Sequence, residues 1–305
     1  EWIGSITTRF GEAEQGLSTL ADGRFLKDAI ADDPIGWLGQ EHFSHFGLSI
    51  EVLVKLLDPD QRLPVHFHPN KAFAKQHLGL DHGKTEAWII LDAPENAKVG
   101  LGFAEKMKKD AIYSMVQAKD SAALLASLNM ISVKPGDAVL VPAGTAHAID
   151  AGIFVLELQE PTDLSALLEW EGFAVDGLKD GHLGLGFDLV LDSLNYEPLT
   201  PDEIGTLIKS SHFTGGEIRS LFTQRADGYF RADVIPGNGE RIEAGFGILL
   251  LLEGDGVLTT ENSGAIAVGH GDALVIPFDA GPWKLTGASG ILSRPPVPAL
   301  AKSAP

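Results

Sequence analysis

The sequence contains no cysteine among its 305 residues. Disulfides and thiolate metal sites are therefore excluded, and any metal site must be built from histidine and carboxylate ligands. The sequence also lacks the run of roughly 20 apolar residues that would span a bilayer, since its richest run, Ile248–Leu252, is as short as one strand. No segment resembles a signal peptide, so we expect a cytoplasmic protein. Because the chain begins at Glu1 rather than Met, we also expect native residues to precede it.

Basic residues are scarce. The chain has 23 Lys and Arg against 42 Asp and Glu, which gives a formal net charge of −19. Nucleic acids and anionic membranes require a basic surface, so neither is an expected partner. A small anionic substrate would need a local positive pocket in this acidic protein. The composition leaves the choice between monomer and homodimer open.

Most of the chain reads as short strands rich in β-branched residues and separated by Gly and Pro. This pattern predicts an all-β sandwich or barrel, with strands at Ser49–Leu57, Ala87–Leu91, Ala138–Val141, Ile153–Leu158, Gly247–Leu252 and Ala273–Ile276.

Helical patterns are confined to three segments. Phe103–Leu128 predicts one or two amphipathic helices, and Asp163–Trp170 predicts a shorter one. Thr200-Pro201-Asp202-Glu203 has an N-cap, a proline at the first helical position and a capping glutamate. We expect it to open a helix that ends near Ser210.

An internal repeat decides the predicted domain organisation. VKPGDAVLVPAG at Val133–Gly144 and VGHGDALVIPFD at Val268–Asp279 both contain a Gly-Asp turn, four strand residues and a proline. Two similar β units joined by a helical segment fit this spacing. We therefore predict an N-terminal domain at 1–164 with a helical insertion at about 103–128, a linker at 165–218, a C-terminal domain at 219–297 and a tail at 298–305.

The sequence PVHFHPNK carries the first candidate metal motif. Side chains alternate along a strand, so His66 and His68 share one face and could bind one ion together. A histidine pair of this kind also occurs on solvated strand faces. Alone it therefore does not distinguish a metal site from a solvent-exposed pair. The second motif, G-x5-P-x-G-x2-H, runs from Gly136 to His147.

Together with an upstream HxH and an intervening glutamate, this second motif is identified as that of the cupin superfamily. Glu86 in HGKTEAW is the glutamate that fits. The predicted fold is therefore a bicupin of two jelly-roll barrels with one metal site, because no histidine follows Pro277 in the second copy. Three imidazoles and a carboxylate suit one divalent ion, with Zn²⁺ preferred and Fe²⁺, Mn²⁺, Co²⁺ or Ni²⁺ possible.

The segments VKLLDPDQRLPVHFHPNKAFAK, GKTEAWIILDA and VKPGDAVLVPAGTAHAIDAGIFVLELQEPTD resemble the type I mannose-6-phosphate isomerases, particularly their shorter bacterial form. Glu1-Trp2-Ile3-Gly4-Ser5 resembles the end of an early Glu-x-Trp motif of that family. The resemblance covers most of residues 1–170. It implies the metal ligands His66 (where the family usually has Gln), His68, Glu86 and His147.

The same resemblance implies the pocket residues Lys55, Lys84, Glu157 and Asp163. Simpler roles stay open, because Lys84 could be a surface turn residue and Glu157 a structural partner of Lys55. The chain departs from the family at Leu167, where an arginine that handles substrate charge is usual. Leucine cannot hydrogen-bond a phosphate.

The resemblance implies conversion of mannose 6-phosphate to fructose 6-phosphate through a metal-stabilised enediol, with Glu157 or Asp163 as the proton-transferring group. Leu167 leaves two alternatives open: an isomerase of a different, possibly unphosphorylated sugar, and a non-catalytic sugar-binding metal cupin. Iron-dependent dioxygenase chemistry is a weaker third alternative. In each case the partner is a small molecule.

Overall fold

The computed structural model describes residues 1–213 and 215–301, and the chain divides into two compact units. The histidine unit consists of Leu57–Glu157 and Thr162–Ile208. The terminal unit consists of Glu1–Leu56, Leu158–Pro161 and the described part of Lys209–Pro305. The four-segment division predicted above stays a prediction. Residues 302–305 of its tail lie outside the described residues.

The described residues form short strands throughout both units. They are β1 (Trp2–Ile3), β2 (Leu53–Leu57), β3 (His66–Phe67), β4 (Glu86–Asp92), β5 (Lys98–Phe103), β6 (Leu128–Ser132), β7 (Asp137–Val141), β8 (His147–Ile149), β9 (Phe154–Gln159), β10 (Ala166–Leu167), β11 (Ile208–Ser210), β12 (Arg219–Ser220), β13 (Arg231–Ile235), β14 (Asn238–Ile242), β15 (Gly247–Glu253), β16 (Asp255–Thr260), β17 (Gly264–Gly269), β18 (Ala273–Ile276), β19 (Trp283–Thr286) and β20 (Ser289–Arg294).

The helices of the described residues are short as well. They are α1 (Leu26–Asp32), α2 (Pro34–Leu38), α3 (Gln40–Phe46), α4 (Lys71–Leu78), α5 (Lys109–Ala118), α6 (Ser121–Ala126), α7 (Gly177–Asp180), α8 (Phe187–Val190), α9 (Pro201–Leu207) and α10 (Pro298–Ala301). The structure is mostly sheet, as the predicted all-β class requires, but α1, α2, α3 and α4 lie outside the three segments for which helices were predicted. No helix within 1–213 or 215–301 is long and apolar enough to cross a membrane.

The histidine unit is built on antiparallel strands. One sheet has the order β10-β3-β8-β5-β6, and β9-β4-β7 are neighbours in another. Helices α5 and α6 lie between β5 and β6, so the predicted helices within Phe103–Leu128 are confirmed. Ile112 and Val116 of α5 are buried in the same apolar cluster as Val65 and Phe67.

The helix predicted at Asp163–Trp170 is wrong. Leu164, Ala166 and Leu168 are buried while the residues between them are half-buried, which is the two-residue period of a strand. Ala166 pairs with Phe67 across β10 and β3. Short apolar segments can fit the period of a helix or of a strand. Here the pairing with β3 stabilises the extended form.

The capping prediction at Thr200 is confirmed in detail. The Thr200 hydroxyl accepts a hydrogen bond from Glu203 N, and the Glu203 carboxylate accepts one from Thr200 N. Helix α9 ends at Leu207 rather than near Ser210, because Ile208–Ser210 is extended as β11. The strand predicted at Ser49–Leu57 also begins late, at Leu53, since Glu51 has a φ of 58°.

The terminal unit contains two further antiparallel sheets. Their strand orders are β12-β13-β20-β15-β18 and β14-β19-β16-β17. The apolar side chains Ile235, Leu249, Leu258 and Leu285 from these sheets form one core. Helix α2 packs against the 3₁₀ helix Phe278–Ala280 of the same unit.

The two copies of the sequence repeat have the same strand register. In the histidine unit Glu86 pairs with Val141 and Trp88 with Val139. In the terminal unit Gly247 pairs with Ile276 and Leu249 with Leu274. Since Val141 and Ile276 are the residues before the two repeat prolines, Gly247 is the positional equivalent of Glu86.

Candidate metal centre

The first motif presents its histidines on one face of β3. Val65 and Phe67 are fully buried in the apolar cluster of the histidine unit. Alternation along the strand therefore directs His66 and His68 to the opposite face, as predicted. Both imidazoles are buried, and their ring centroids lie 5.0 Å apart.

The second motif brings His147 to the same place. Gly136 and Gly144 have φ values of 92° and 84°, so both turns need residues that tolerate the left-handed region. Gly144 N donates a hydrogen bond to His68 O at 2.6 Å. Strand β8 then places His147 directly opposite His66 in the antiparallel ladder. The two motifs, distant in sequence, thus meet at neighbouring positions.

Glu86 completes the cluster from β4. Its Oε2 lies 3.0 Å from His68 Nε2, and its Oε1 lies 3.2 Å from His147 Nε2. Oε1 also accepts a hydrogen bond of 2.9 Å from the indole N–H of Trp88. Trp88 follows Glu86 by two residues and so shares its strand face. The two-residue spacing of Glu86 and Trp88 in GKTEAW is the sequence signal from which this contact could be predicted.

The tautomer of each histidine follows from its outer nitrogen. Nδ1 lies 2.7 Å from Pro64 O in His66, 2.6 Å from Leu164 O in His68 and 2.8 Å from Thr145 O in His147. A carbonyl only accepts, so each Nδ1 carries the proton and each neutral ring leaves a lone pair on Nε2. The Nε2 atoms of His66 and His147 face each other at 3.0 Å.

The centre is therefore a buried group of acceptors with no donor at its middle. Ligand atoms of the three histidines lie within 4.8 Å of one another. Among the described residues His68 Nε2 is buried without a hydrogen-bond partner, and Glu86 Oε2 has the Lys84 ammonium at 3.1 Å as its ion-pair partner. Unpaired buried acceptors cost free energy, and a divalent cation would satisfy all of them. The residues present fit such an ion.

Burial favours the neutral form of His66 and His68, which is the form that binds a metal. It lowers the pKa of His66 well below the ordinary value, and His147 and His68 nearby lower it further. Burial and then the Lys84 ammonium lower the pKa of His68 to about 3. Burial alone would raise the pKa of Glu86, but the Lys84 ammonium holds it well below its usual range.

Lys84 is a buried cation beside this cluster. Its Nζ lies 3.1 Å from Glu86 Oε2, and 4% of the residue is exposed, so the surface-turn alternative is wrong. Burial would lower its pKa, but the carboxylates of Glu86, Glu157 and Asp163 raise it above the ordinary value. Lys84 thus stays charged, and Glu157 and Asp163 lie within its electrostatic reach.

Lys55 belongs to the terminal unit. It is buried on β2, and its Nζ lies 4.8 Å from the centre of the Trp2 ring. An ammonium at this distance from an aromatic face gains a cation–π attraction. Its predicted role as a pocket residue stays a prediction.

Leu167 is the cross-strand partner of His66. The two residues are paired in the antiparallel ladder of β10 and β3, so their side chains share one face. His66 also pairs with His147 on its other side, and His147 in turn pairs with Leu101 on β5. Leu167 is half-buried, whereas Leu101 is fully buried. The position at which the family usually has arginine is therefore beside the histidines, on their exposed side.

An ion pair between Arg62 and Glu169 holds the start of β3 in place, and no local sequence pattern predicts it. Arg62 donates to both carboxylate oxygens of Glu169 at 2.7 Å, and Val65 N donates to Glu169 Oε2 at 2.9 Å. The partners are far apart in the chain. Glu169 thereby fixes the residue that precedes His66.

Comparisons with known proteins agree with this geometry. No family model matches the chain. The mannose-6-phosphate isomerase ManA of Bacillus subtilis (strain 168) is 28% identical over 295 residues, which cover 91% of this chain and 85% of the relative.

Solved structures share the fold. The crystal structure of the mannose 6-phosphate isomerase from Bacillus subtilis superposes with a TM-score of 0.67 at 24% identity, covering 92% of this chain and 86% of that one. A zinc-bound mannose 6-phosphate isomerase gives a TM-score of 0.67 at 18% identity, covering 90% and 86%.

The antiparallel sheets and the inward-facing histidines define a protein of cupin-like fold with a candidate metal centre. Over 91% of its length the chain is similar to a mannose-6-phosphate isomerase, and it shares the fold of a solved enzyme of that name.

Proposed function

We propose that this chain is a metal-dependent aldose–ketose isomerase that interconverts mannose 6-phosphate and fructose 6-phosphate. The observation that carries the proposal is the buried acceptor cluster of three Nε2 atoms and one carboxylate. A relative named mannose-6-phosphate isomerase that aligns with 91% of the chain supports the substrate.

The proposed cofactor is one divalent ion, held by His66, His68, Glu86 and His147. Three neutral imidazoles and a carboxylate are a donor set that suits Zn²⁺, and the fold neighbour solved with zinc supports this choice. When bound, the ion would act as a Lewis acid that polarises the sugar carbonyl.

The residues of the chain supply the rest of the proposed chemistry. Lys84 brings a permanent positive charge, which favours negative charge developing on the sugar oxygens. Moving a proton between C1 and C2 requires a group that both accepts and donates it. We assign this role to Glu157 or Asp163, because both lie within electrostatic reach of Lys84.

The bicupin architecture belongs to this proposal. The equal register of β4 with β7 and of β15 with β18 supports two related barrels. A cytoplasmic location stays a prediction.

A second candidate substrate, an unphosphorylated sugar, is favoured by one observation. Leu167 lies beside His66 and offers no donor for a phosphate. The guanidinium of Arg62, the only arginine in the described residues of the histidine unit, is paired with Glu169. In this form of the proposal the enzyme uses free mannose or a similar aldose about as well as its 6-phosphate.

The test measures metal content and turnover together. Protein loaded with Zn²⁺ is assayed with mannose 6-phosphate and with free mannose, before and after removal of the metal by a chelator. Phosphate-dependent turnover that disappears with the metal supports the first substrate. Equal turnover of free mannose supports the second. Binding of either sugar without turnover would contradict both and favour a sugar-binding protein.

Two variants separate the candidates for proton transfer. Glu157→Gln and Asp163→Asn each remove one carboxylate while keeping the side-chain volume. We expect the variant of the proton-transferring residue to lose about 10²- to 10⁴-fold in kcat while it retains the metal. Exchange of the C2 proton with solvent, measured by NMR, should fall in parallel. If neither variant slows exchange, the assignment is wrong.

A further inference from the structure

Two arginines lie directly opposite each other in the terminal unit. Arg231 on β13 pairs with Arg294 on β20 in the antiparallel ladder. Side chains at directly opposite positions have Cβ atoms roughly 5 Å apart, and like charges there are destabilising. Such a pair therefore calls for a negative partner.

The arginines lie on the inner face of their sheet. Alternation places Arg231 and Asp233 on the same face as Ile235, which belongs to the apolar core of the terminal unit. Leu292, the cross-strand partner of Asp233, belongs to that core as well. The arginine pair thus forms the end row of the face that packs between the two sheets.

The next position of this row is a glycine without a side chain, and Leu292 packs closely against it. Ile248 pairs with Ser293, so Gly247 at the start of β15 stands next to Arg294. A Cβ on Gly247 would lie 2.7 Å from Leu292 Cδ1 and 3.5 Å from Arg294 Cγ. Gly247 is also the equivalent of Glu86 by register. The place that holds a carboxylate in the histidine unit therefore has no side chain here and is bordered by cations.

The surrounding carboxylates leave part of this positive charge unpaired. Arg294 donates to Asp233, and Arg231 Nε donates to Pro295 O at 3.0 Å. Arg294 Nε is buried without a partner among the described residues. Asp227 interacts electrostatically with Arg231 and with Lys209, so the cluster contains three cations and two carboxylates.

The pKa values in the cluster also indicate that its positive charge is incompletely compensated. Burial, and then the neighbouring Arg294, lower the pKa of Arg231. Burial raises the pKa of Asp227 and so disfavours its charged form. The Arg294 side chain is 27% exposed, so a small solute can reach it.

We propose that Arg231 and Arg294 form a binding site for a small oxyanion, a phosphate or the phosphate group of an ester, at the end of the inner face of the terminal unit. The planar guanidinium groups present donors in forks that match phosphate oxygens. A bound anion would lie between the two forks, pair with Arg294 Nε and offset the repulsion between the arginines.

The test is calorimetric titration of the metal-loaded, full-length protein with inorganic phosphate at low ionic strength. We expect Arg231→Gln to weaken phosphate binding about tenfold or more, because a charge-assisted pair of hydrogen bonds is lost. Arg294→Lys keeps the charge but not the fork, and should weaken binding less. Arg241→Gln is the matched control, since Arg241 lies in the same unit, is 60% exposed and pairs with Glu243 and Glu261.

Stability measurements separate binding from a structural role. Arg231→Gln leaves the ion pair of Arg294 with Asp233 intact, so the variant should fold. In the wild type, phosphate should raise the Tm, whereas in Arg231→Gln this increment should vanish even if the starting Tm is also lower. An increment that persists in both arginine variants, or one that disappears in His68→Ala instead, would overturn the proposal.

Discussion

The two copies of the repeat share a backbone and differ in the chemistry of one row. In β4 and β15 the pairing with β7 and β18 has the same register, yet one copy has Glu86 where the other has Gly247. The first copy collects acceptors, and the second brings Arg294 on β20 and Arg231 on β13, the next two strands of the sheet. The ladder depends on backbone hydrogen bonds and on the buried residues further along the strands, such as Trp88 and Leu249. The residues at the end of each ladder can therefore be anionic in one copy and cationic in the other.

The chain after the repeat proline accounts for the missing ligand in the second copy. After Pro142 the turn at Gly144 leads into β8 and places His147 in the sheet. After Pro277 the chain forms a 3₁₀ helix, Phe278–Ala280, whose first residue is the aromatic Phe278. Gly39 approaches this ring so closely that a Cβ would lie 2.6 Å from Phe278 Cδ2. The segment that delivers a ligand in one copy serves packing in the other.

The strongest test of this difference between the two copies is to replace histidines in each of them. His68→Ala and His147→Ala should abolish bound metal, measured by atomic absorption, and reduce isomerase activity by at least about 10³-fold, or ~4 kcal/mol. His270→Ala, an exposed histidine of the second copy whose Nδ1 contacts Leu252 O, should change neither. Full metal content in His147→Ala would contradict the four-ligand centre.

The next largest effect is expected at the cation beside the cluster. Lys84→Met removes the charge that compensates Glu86 and its neighbours, and should lower kcat about 10²-fold with the metal retained. Lys284→Met, at an exposed position of the terminal unit, is the control. Steady-state kinetics and metal analysis on the same preparations check the prediction, and an unchanged kcat in Lys84→Met would argue that the lysine is structural.

A smaller effect concerns stability. Arg62→Ala removes the ion-pair partner of the buried Glu169 carboxylate, which keeps its hydrogen bonds with Val65 N and Ser121. The variant should lower the free energy of unfolding by about 1–2 kcal/mol, because Arg62 itself is partly exposed. Burial would raise the pKa of Glu169, but Arg62 and Val65 N hold it below the ordinary value. The contribution is therefore complete above about pH 4.3 and is lost as the pH falls through the folded-state pKa.

Urea unfolding of wild type and Arg62→Ala at neutral pH and near pH 3 measures this contribution. The difference in the free energy of unfolding between the two proteins should be smaller at the lower pH. Arg24→Ala breaks an exposed pair with Asp22 and should leave the unfolding midpoint unchanged at both pH values. A difference in the free energy of unfolding that does not depend on pH would mean that Arg62 acts through packing alone.

The smallest expected effect sharpens the question of substrate. Leu167→Arg places a guanidinium on the face of His66, and should raise the preference for mannose 6-phosphate over mannose about tenfold. Leu167→Gln adds polarity without charge and should shift the ratio much less. The measurement is kcat/KM for both sugars. An unchanged ratio in Leu167→Arg would remove position 167 from substrate selection.

The local parts of this structure followed from sequence, and the long-range parts did not. The shared strand face of His66 and His68 followed from alternation along a few consecutive residues, whereas His147 was assigned through the resemblance of its motif to that of the cupins. Asp163–Trp170 was misassigned because its apolar spacing suits a helix until Ala166 is known to pair with Phe67. Arg231 and Arg294 gave no signal, since their proximity depends on the register of two strands that are distant in the chain.

The three hydrogen bonds from the histidine Nδ1 atoms have a consequence for the kinetics of metal uptake. Each imidazole is already held by a backbone carbonyl, at Pro64, Leu164 or Thr145. The rotamer entropy of these side chains, on the order of 1 kcal/mol each, is therefore lost when the protein folds rather than when the ion arrives. Removing and restoring the metal should then be a matter of ion entry and exit, with no slow rearrangement of the protein between the two states.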